Sequence, residues 1–137
     1  MSYVYNATGL RTNMVDASRL TRYLYDAMSR LTNKVVSFTN GPTLALNYTY
    51  STNGSLTTLW SSSPNGVTNS FQYDMLGRLT NVLANGSAAA GYWFDVVGNL
   101  QSIAYGNGVT NLYQYDAMNR LTNLVWKAGA SPLASFV

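Results

Sequence analysis

A nine-residue motif, Tyr-Asp-x-x-x-Arg-Leu-Thr-Asn, occurs three times in the sequence, at residues 25–33, 73–81 and 115–123. Weaker copies bring the total to six, at intervals of 20–25 residues, and these begin at Tyr5, Tyr50 and Phe94. A period of this length is typical of repeat proteins, in which each unit buries its apolar surface against its neighbours. The spacing therefore predicts one array over residues 1–137, built from about six repeats of 20–25 residues.

Each motif has the chemistry of a tight turn. The Asp74 carboxylate can accept hydrogen bonds from the turn amides, and Gly77 can take the left-handed conformation that closes a type I turn with a bulge. Most equivalent positions hold Gly or Asn, and Ser29 is the poor fit. We interpret the recurring residues as structural, and they are Tyr25, Asp26, Arg30, Leu31, Tyr73, Asp74, Gly77, Arg78, Leu79, Tyr115, Asp116, Arg120 and Leu121.

A second kind of turn alternates with the motifs. Asn-Gly pairs are a strong hairpin signal because both residues tolerate a positive φ, and they occur at Asn40-Gly41, Asn65-Gly66, Asn85-Gly86 and Asn107-Gly108. Two alternating turn types predict an all-β fold, an open and curved array of antiparallel β-hairpins. The predicted strands are residues 19–25, 30–37, 43–50, 55–61, 67–73, 78–84, 99–105, 109–115 and 120–126.

The composition supports this fold class. The chain contains 11 Tyr and no Glu, and only 9% of its residues are charged, compared with roughly 25% in ordinary soluble domains. Tyr, Thr and Val favour strands, whereas Gly and Asn favour turns. With Asp and Arg opposite each other across the turn, strict alternation in the last complete motif places five residues on one face: Tyr113, Tyr115, Leu121, Asn123 and Val125.

Catalytic and metal chemistry find little support in the sequence. His and Cys are absent, which removes the commonest general base, the commonest metal ligand and the thiol nucleophile. Four of the five Asp residues lie at the second position of a motif, where the turn explains them. We therefore expect no enzymatic activity, no metal and no cofactor.

Charge and hydropathy indicate neither a nucleic acid partner nor a membrane span. The net charge is +3, but the Arg residues are spread over the repeats and form no basic cluster. No apolar run approaches the ~20 residues that a membrane span requires, and no signal peptide is visible at the N-terminus. Trp60, Trp93 and Trp126 could stack on sugar rings if exposed, although packing within strands is the simpler interpretation.

The complete sequence Tyr-Asp-Met-Leu-Gly-Arg-Leu-Thr at residues 73–80 resembles the YD repeat of the RHS and teneurin-like proteins. The resemblance covers nearly the whole chain. It implies β-hairpins in a long sheet that spirals into a hollow shell, which encloses a toxic segment in bacterial toxins and forms part of an adhesion structure in teneurins. By this resemblance the chain is a structural scaffold, a fragment of a longer secreted or cell-surface shell.

The partners implied are further YD repeats of a parent chain and an enclosed toxin segment. A carbohydrate- or surface-binding module is the alternative, and it would need an exposed aromatic cluster. Counting about 21 residues from Tyr115 places the next motif at Phe136, so residues 133–137 would be half a hairpin. Because an uncapped array leaves a strand edge at each end, we also expect self-association through these edges.

Overall fold

The computed structural model describes residues 1–136, so Val137 lies outside the description. The chain divides into two compact units, Met1–Asn69 and Ser70–Val137, each of which is described by itself. No helix is present in the described residues, and none could therefore cross a membrane. The thirteen strands confirm the predicted all-β hairpin array.

The first unit contains six strands that pair antiparallel in chain order, each with the next. Asn40-Gly41 lies in the connection from β4 to β5, and the other four connections, residues 6–10, 16–18, 26–30 and 51–55, contain none of the predicted Asn-Gly turns, so the predicted alternation of the two turn types does not hold throughout these strands. The strands are β1 (Ser2–Tyr5), β2 (Arg11–Val15), β3 (Arg19–Tyr25), β4 (Leu31–Phe38), β5 (Thr43–Tyr50) and β6 (Leu56–Ser61).

The second unit repeats the same arrangement. Strand β7 (Thr68–Tyr73) begins just before the division and is hydrogen-bonded to β8, and the later strands pair antiparallel in chain order. These strands are β8 (Leu79–Ala84), β9 (Ser87–Phe94), β10 (Leu100–Tyr105), β11 (Val109–Tyr115), β12 (Leu121–Ala128) and β13 (Ser131–Phe136).

The strands beside five of the motif turns contain a β-bulge, which corrects the predicted faces. Tyr115 pairs with Leu121 as expected, but Gln114 pairs with Asn123, so Thr122 is an extra residue in its strand. The Thr122 hydroxyl donates a 3.2 Å hydrogen bond to the Gln114 carbonyl and so stabilises the bulge. Asn123 and the residues after it therefore lie on the face opposite the one predicted, because one extra residue reverses the alternation.

The bulge also accounts for the recurrent Asn of the motif. On its actual face, the Asn123 side-chain amide donates a 3.0 Å hydrogen bond to the Gln114 side chain. Asn33 bonds Asn47 in the same way at 2.6 Å. Asn123 and Asn33 thus each donate a hydrogen bond to an amide side chain of the neighbouring strand, while the buried Oδ1 atom of Asn123 accepts none from the described residues.

Burial is shallow in both units. Among the described residues, Thr21 and Tyr23 of the first unit and Gly91 and Asn111 of the second are buried, while most strand residues are half-buried. Within each unit the described strands contact only their sequence neighbours, so no second layer of described residues packs on the strands of that unit. Stability must therefore come largely from contacts between neighbouring strands and hairpins.

Candidate functional site

The motif at residues 73–79 folds as a turn centred on the Asp74 carboxylate. Its Oδ1 atom accepts hydrogen bonds from the backbone amides of Leu76 and Arg78, both at 2.9 Å. Its Oδ2 atom accepts a 2.7 Å hydrogen bond from Arg78 Nε. Backbone bonds of 3.0 Å from Asp74 N to Arg78 O and from Gly77 N to Asp74 O close the loop. We call this arrangement the Asp–Arg turn.

The other two complete motifs form the same Asp–Arg turn. The ion pair between Asp26 Oδ2 and Arg30 Nε spans 2.7 Å, as does the pair between Asp116 and Arg120. The hydrogen bond from the Arg30 amide is the largest of the effects that lower the pKa of Asp26, and partial desolvation opposes it. The shortened motif at Asp16 is similar, and its bonds lower the pKa of that carboxyl to about 2.

The third position after the aspartate has a positive φ in every Asp–Arg turn. Gly77 has φ 78°, which confirms its predicted left-handed conformation, and Asn119 has φ 60°. Ser29, the residue that fits poorly by sequence, takes the same conformation at φ 64°. The rest of the turn therefore imposes a conformation that costs a serine roughly 1 kcal/mol or more.

We expect Ser29→Gly to raise the free energy of unfolding by about 1 kcal/mol, because glycine adopts a positive φ without the clash of a Cβ atom. Gly77→Ser is the reciprocal control at the equivalent position, and it should lower stability by a similar amount. Urea denaturation of both variants would test this. Changes of the same sign in the two variants would contradict the assigned strain.

Aromatic side chains connect two of the Asp–Arg turns to the next hairpin. The Arg30 guanidinium lies 4.7 Å from the ring centroid of Tyr50, and Arg78 lies 4.5 Å from that of Phe94. The Tyr50 hydroxyl also donates a 2.8 Å hydrogen bond to the carbonyl of Leu31. In these two motifs the first residue thus packs on the arginine of the preceding motif, which is a cation–π contact.

Tyrosine hydroxyls make the same bond elsewhere in the array. Tyr25 donates to the carbonyl of Arg11, and Tyr115 donates to that of Leu100, both at 2.9 Å. Phe94 occupies the equivalent position without a hydroxyl group. The carbonyl that matches Leu31 in this repeat belongs to Leu79, the residue after the arginine.

Phe94→Tyr is therefore expected to stabilise the protein by about 1 kcal/mol, the usual net value of one hydrogen bond. The new hydroxyl should donate to the Leu79 carbonyl. Phe38→Tyr, at a surface position on β4, serves as the matched control and should change stability by less than about 0.5 kcal/mol. Thermal melts that show equal effects for the two substitutions would exclude the proposed bond.

The last Asp–Arg turn is more exposed than the others. The Arg120 side chain is 72% exposed, compared with 26% for Arg30 and 31% for Arg78. No described residue places an aromatic ring over Arg120. Phe136, which the repeat spacing predicts as the next motif residue, instead pairs with Leu124 and packs edge-on against Trp126 at 5.3 Å. The prediction for Phe136 is wrong, and Val137 lies outside the described residues.

The remaining candidates for chemistry occupy structural positions. Every Asp side chain accepts backbone amide bonds in its own turn, and the described residues contain no group of three or more acidic side chains that could bind a metal. Trp93 is 51% exposed, whereas Trp60 and Trp126 are half-buried. The contacts of these residues join strands and hairpins.

Comparison with known proteins agrees with this interpretation. No curated protein matches the sequence. The fold is similar to that of TcdB2-TccC3 without its hypervariable C-terminal region, with a TM-score of 0.74 and 21% identity, over 90% of this chain and 7% of that chain. It is also similar to TcdB2-TccC3-TEV (TM-score 0.71, 14% identity, 93% of this chain, 8% of that) and to the Photorhabdus luminescens Tc holotoxin pore (0.55, 15%, 95% and 9%).

This chain thus spans less than a tenth of each of those chains. At such identities the structures establish the hairpin fold alone. The family model described as the teneurin YD-shell matches residues 1–127, which include every Asp–Arg turn. The chain therefore belongs to the teneurin YD-shell family.

Proposed function

We propose that this chain is a shell segment that helps to enclose a toxic polypeptide within a larger secreted or surface-exposed protein. The chain has the structural role of its family, a segment of a YD-repeat shell. The observation that carries the proposal is the repeated Asp–Arg turn, which joins hairpin to hairpin through an arginine and an aromatic ring. Such contacts are suited to building a wall of hairpins.

Exposure of the sheet supports a larger assembly. All described residues of β1 and β13 are exposed, and each of these strands is an edge of its own unit. Apolar side chains such as Leu24 and Trp93 are more than half exposed within the strands. Exposed edge strands favour pairing with further repeats of a parent chain or with a second copy. Exposed apolar side chains on the sheet favour contact with an enclosed polypeptide.

The native assembly should reveal whether a polypeptide is enclosed. We expect an antibody against this chain to isolate, from the source cells, a species several times the mass of the single chain. Limited proteolysis should spare one polypeptide of that species until mild denaturant opens the wall. A native species with the mass of the single chain and no protected polypeptide would refute enclosure.

Carbohydrate binding is the second candidate, and the exposure of Trp93 is the observation that favours it. A sugar ring could stack on this indole, although Trp126 of the same unit is packed against Phe136. A glycan array with the intact chain and with Trp93→Ala would test it. Binding that the substitution abolishes would support this function, and absence of binding would exclude it.

A further inference from the structure

The motif that begins at Phe94 keeps its aspartate but has no arginine. Asn99 stands where Arg30 and Arg78 stand in their motifs. The Asp95 Oδ1 atom still accepts hydrogen bonds from the backbone amides of Val97 and Asn99, at 3.0 and 2.8 Å. The Asn99 side-chain amide donates a 3.0 Å bond to Asp95 Oδ2, the atom to which arginine Nε donates in the other turns. Asn99 therefore replaces the Nε group but not the planar end of a guanidinium.

The turns that contain an arginine, which we call filled turns, show what the planar end of the guanidinium contacts. Arg30 Cζ lies over the Tyr50 ring, and Arg30 Nη1 donates a 3.3 Å bond to the backbone carbonyl of Ser51 in the next turn. Arg78 lies over Phe94 in the same way. In each case the guanidinium occupies the space between its own aspartate, the aromatic ring of the next hairpin and the backbone of the next turn.

In the Asn99 repeat the equivalent space is an open cavity of about 630 Å³. Its walls include the same three parts, namely the Asp95 carboxylate, Tyr115 and the turn from Asp116 to Asn119. A hydrogen bond of 2.9 Å from the Asn99 amide to the Asn119 side chain holds Asn99 against one wall. The volume is within the ~300–1,000 Å³ range of small-molecule sites and exceeds what one guanidinium group requires.

The walls are also suited to a cation. Four described aspartates form ion pairs with arginine, and Asp95 is the fifth, bonded only to neutral groups. Partial desolvation raises the pKa of Asp95, but the bonds from the Asn99 side chain and the turn amides lower it by more, so the carboxylate is ionised at neutral pH. Asp116, the other acid in the wall, is already paired with Arg120. Asp95 is therefore an ionised carboxylate for which the described residues supply no ion pair.

The Tyr115 ring, which forms the aromatic wall of the cavity, is held by a hydrogen bond from its hydroxyl group. The Tyr115 hydroxyl donates its 2.9 Å bond to the Leu100 carbonyl, which is the bond that Tyr50 makes to the equivalent carbonyl of Leu31. A guanidinium group, which is a planar cation, stacks well on the face of an aromatic ring and pairs well with a carboxylate. We propose that this cavity binds an alkylguanidinium group supplied by another molecule, in the place that an internal arginine fills in the neighbouring repeats.

N-methylguanidinium is the simplest probe, with methylammonium at equal ionic strength as its control. We expect saturable NMR shifts at millimolar concentration in the side-chain amides of Asn99 and Asn119, and none in the filled turn at Asp74. Asp95→Asn should weaken binding at least tenfold. Equal shifts with methylammonium, or shifts that never saturate, would overturn the proposal.

Two arginine variants provide matched controls. Asn99→Arg should place a guanidinium in the cavity, raise the melting temperature and abolish probe binding. Arg78→Ala should open a second cavity between Asp74 and Phe94, so that the probe gives new shifts there and restores part of the lost thermal stability. Binding that persists at full strength in Asn99→Arg would locate the probe elsewhere and refute the site.

Comparing the affinities of two ligands distinguishes whether the guanidinium group comes from a polypeptide or from a free small molecule. A peptide with one internal arginine that binds at least tenfold more tightly than N-methylguanidinium would identify a polypeptide side chain as the occupant. Equal affinities would identify a free small guanidine. Failure of both ligands to bind, with Asn99→Arg also without effect on the melting temperature, would show that the cavity is only a packing defect.

Discussion

Replacing Gly106 with alanine is expected to lower the free energy of unfolding by about 2–3 kcal/mol, because a methyl group has no space at this position. A Cβ atom there would overlap the backbone carbonyl oxygen of Ala88 and lie 3.3 Å from its carbon. The Gly106 amide is itself bonded to the Ala89 carbonyl at 2.9 Å. The turn after β10 would therefore have to move away from β9 and lose this bond.

Gly108 provides the control within the same turn. A Cβ atom on Gly108 would meet nothing within 4 Å, but this residue has φ +84°. Gly108→Ala should therefore cost only the strain of a left-handed alanine, roughly 1 kcal/mol. Urea denaturation of both variants would separate steric overlap from backbone strain. If Gly106→Ala lowers the free energy of unfolding no more than Gly108→Ala does, then β9 can move aside at little energetic cost.

The sequence predicts the strands best where a turn signal marks both ends. The predicted ranges 19–25 and 109–115 are the observed bounds of β3 and β11, because Asp residues and Asn-Gly pairs delimit them. Strand β9 (Ser87–Phe94) is absent from the predicted strands. Its run of Ala and Gly has low β propensity, and pairing with β8 and β10 outweighs that preference.

Side-chain faces are predicted less well, because alternation assumes that every residue of a strand is paired. The extra Thr122 breaks this assumption, and nothing in composition marks a threonine as a bulge. The polar Asn123 on a face predicted to be aromatic was the available sign of a shifted register. Asn-Gly pairs are also ambiguous: Asn85 and Gly86 both have positive φ as predicted, but neither Asn40 nor Gly41 does.

In the candidate site, contacts between residues close in sequence could be predicted, whereas contacts between distant residues could not. The Asp–Arg turn could be derived from five consecutive residues, because its bonds are local. The packing of Arg30 on Tyr50 joins residues 20 positions apart, and only the register of β4 against β5 brings them together. The cavity at Asn99 had a visible signal in the missing arginine of that motif, but its walls belong to two hairpins and needed the fold.

Removing the Asp74 carboxylate is expected to destabilise the protein more than removing the Arg78 guanidinium, although the two form one ion pair. Asp74→Ala leaves two backbone amides and Arg78 Nε without their acceptor, whereas Arg78→Ala removes one bond and the contact with Phe94. We expect a fall in melting temperature of roughly 5 °C for Asp74→Ala and about half of that for Arg78→Ala. Equal losses in thermal melts at neutral pH would mean that the amide bonds contribute nothing.

The pH dependence of the same turn gives an independent measurement. The hydrogen bond from the Arg78 amide is the largest cause that lowers the pKa of Asp74 below its ordinary 3.8, and partial desolvation opposes it. A carboxyl whose pKa is lower in the folded state stabilises the protein above the unfolded value and loses this contribution as the pH falls through the folded value. Asp74→Asn should therefore be less stable than the parent at neutral pH, and the difference should shrink well below pH 3.8. A difference that stays constant into acid would attribute the effect to packing and not to the charge of Asp74.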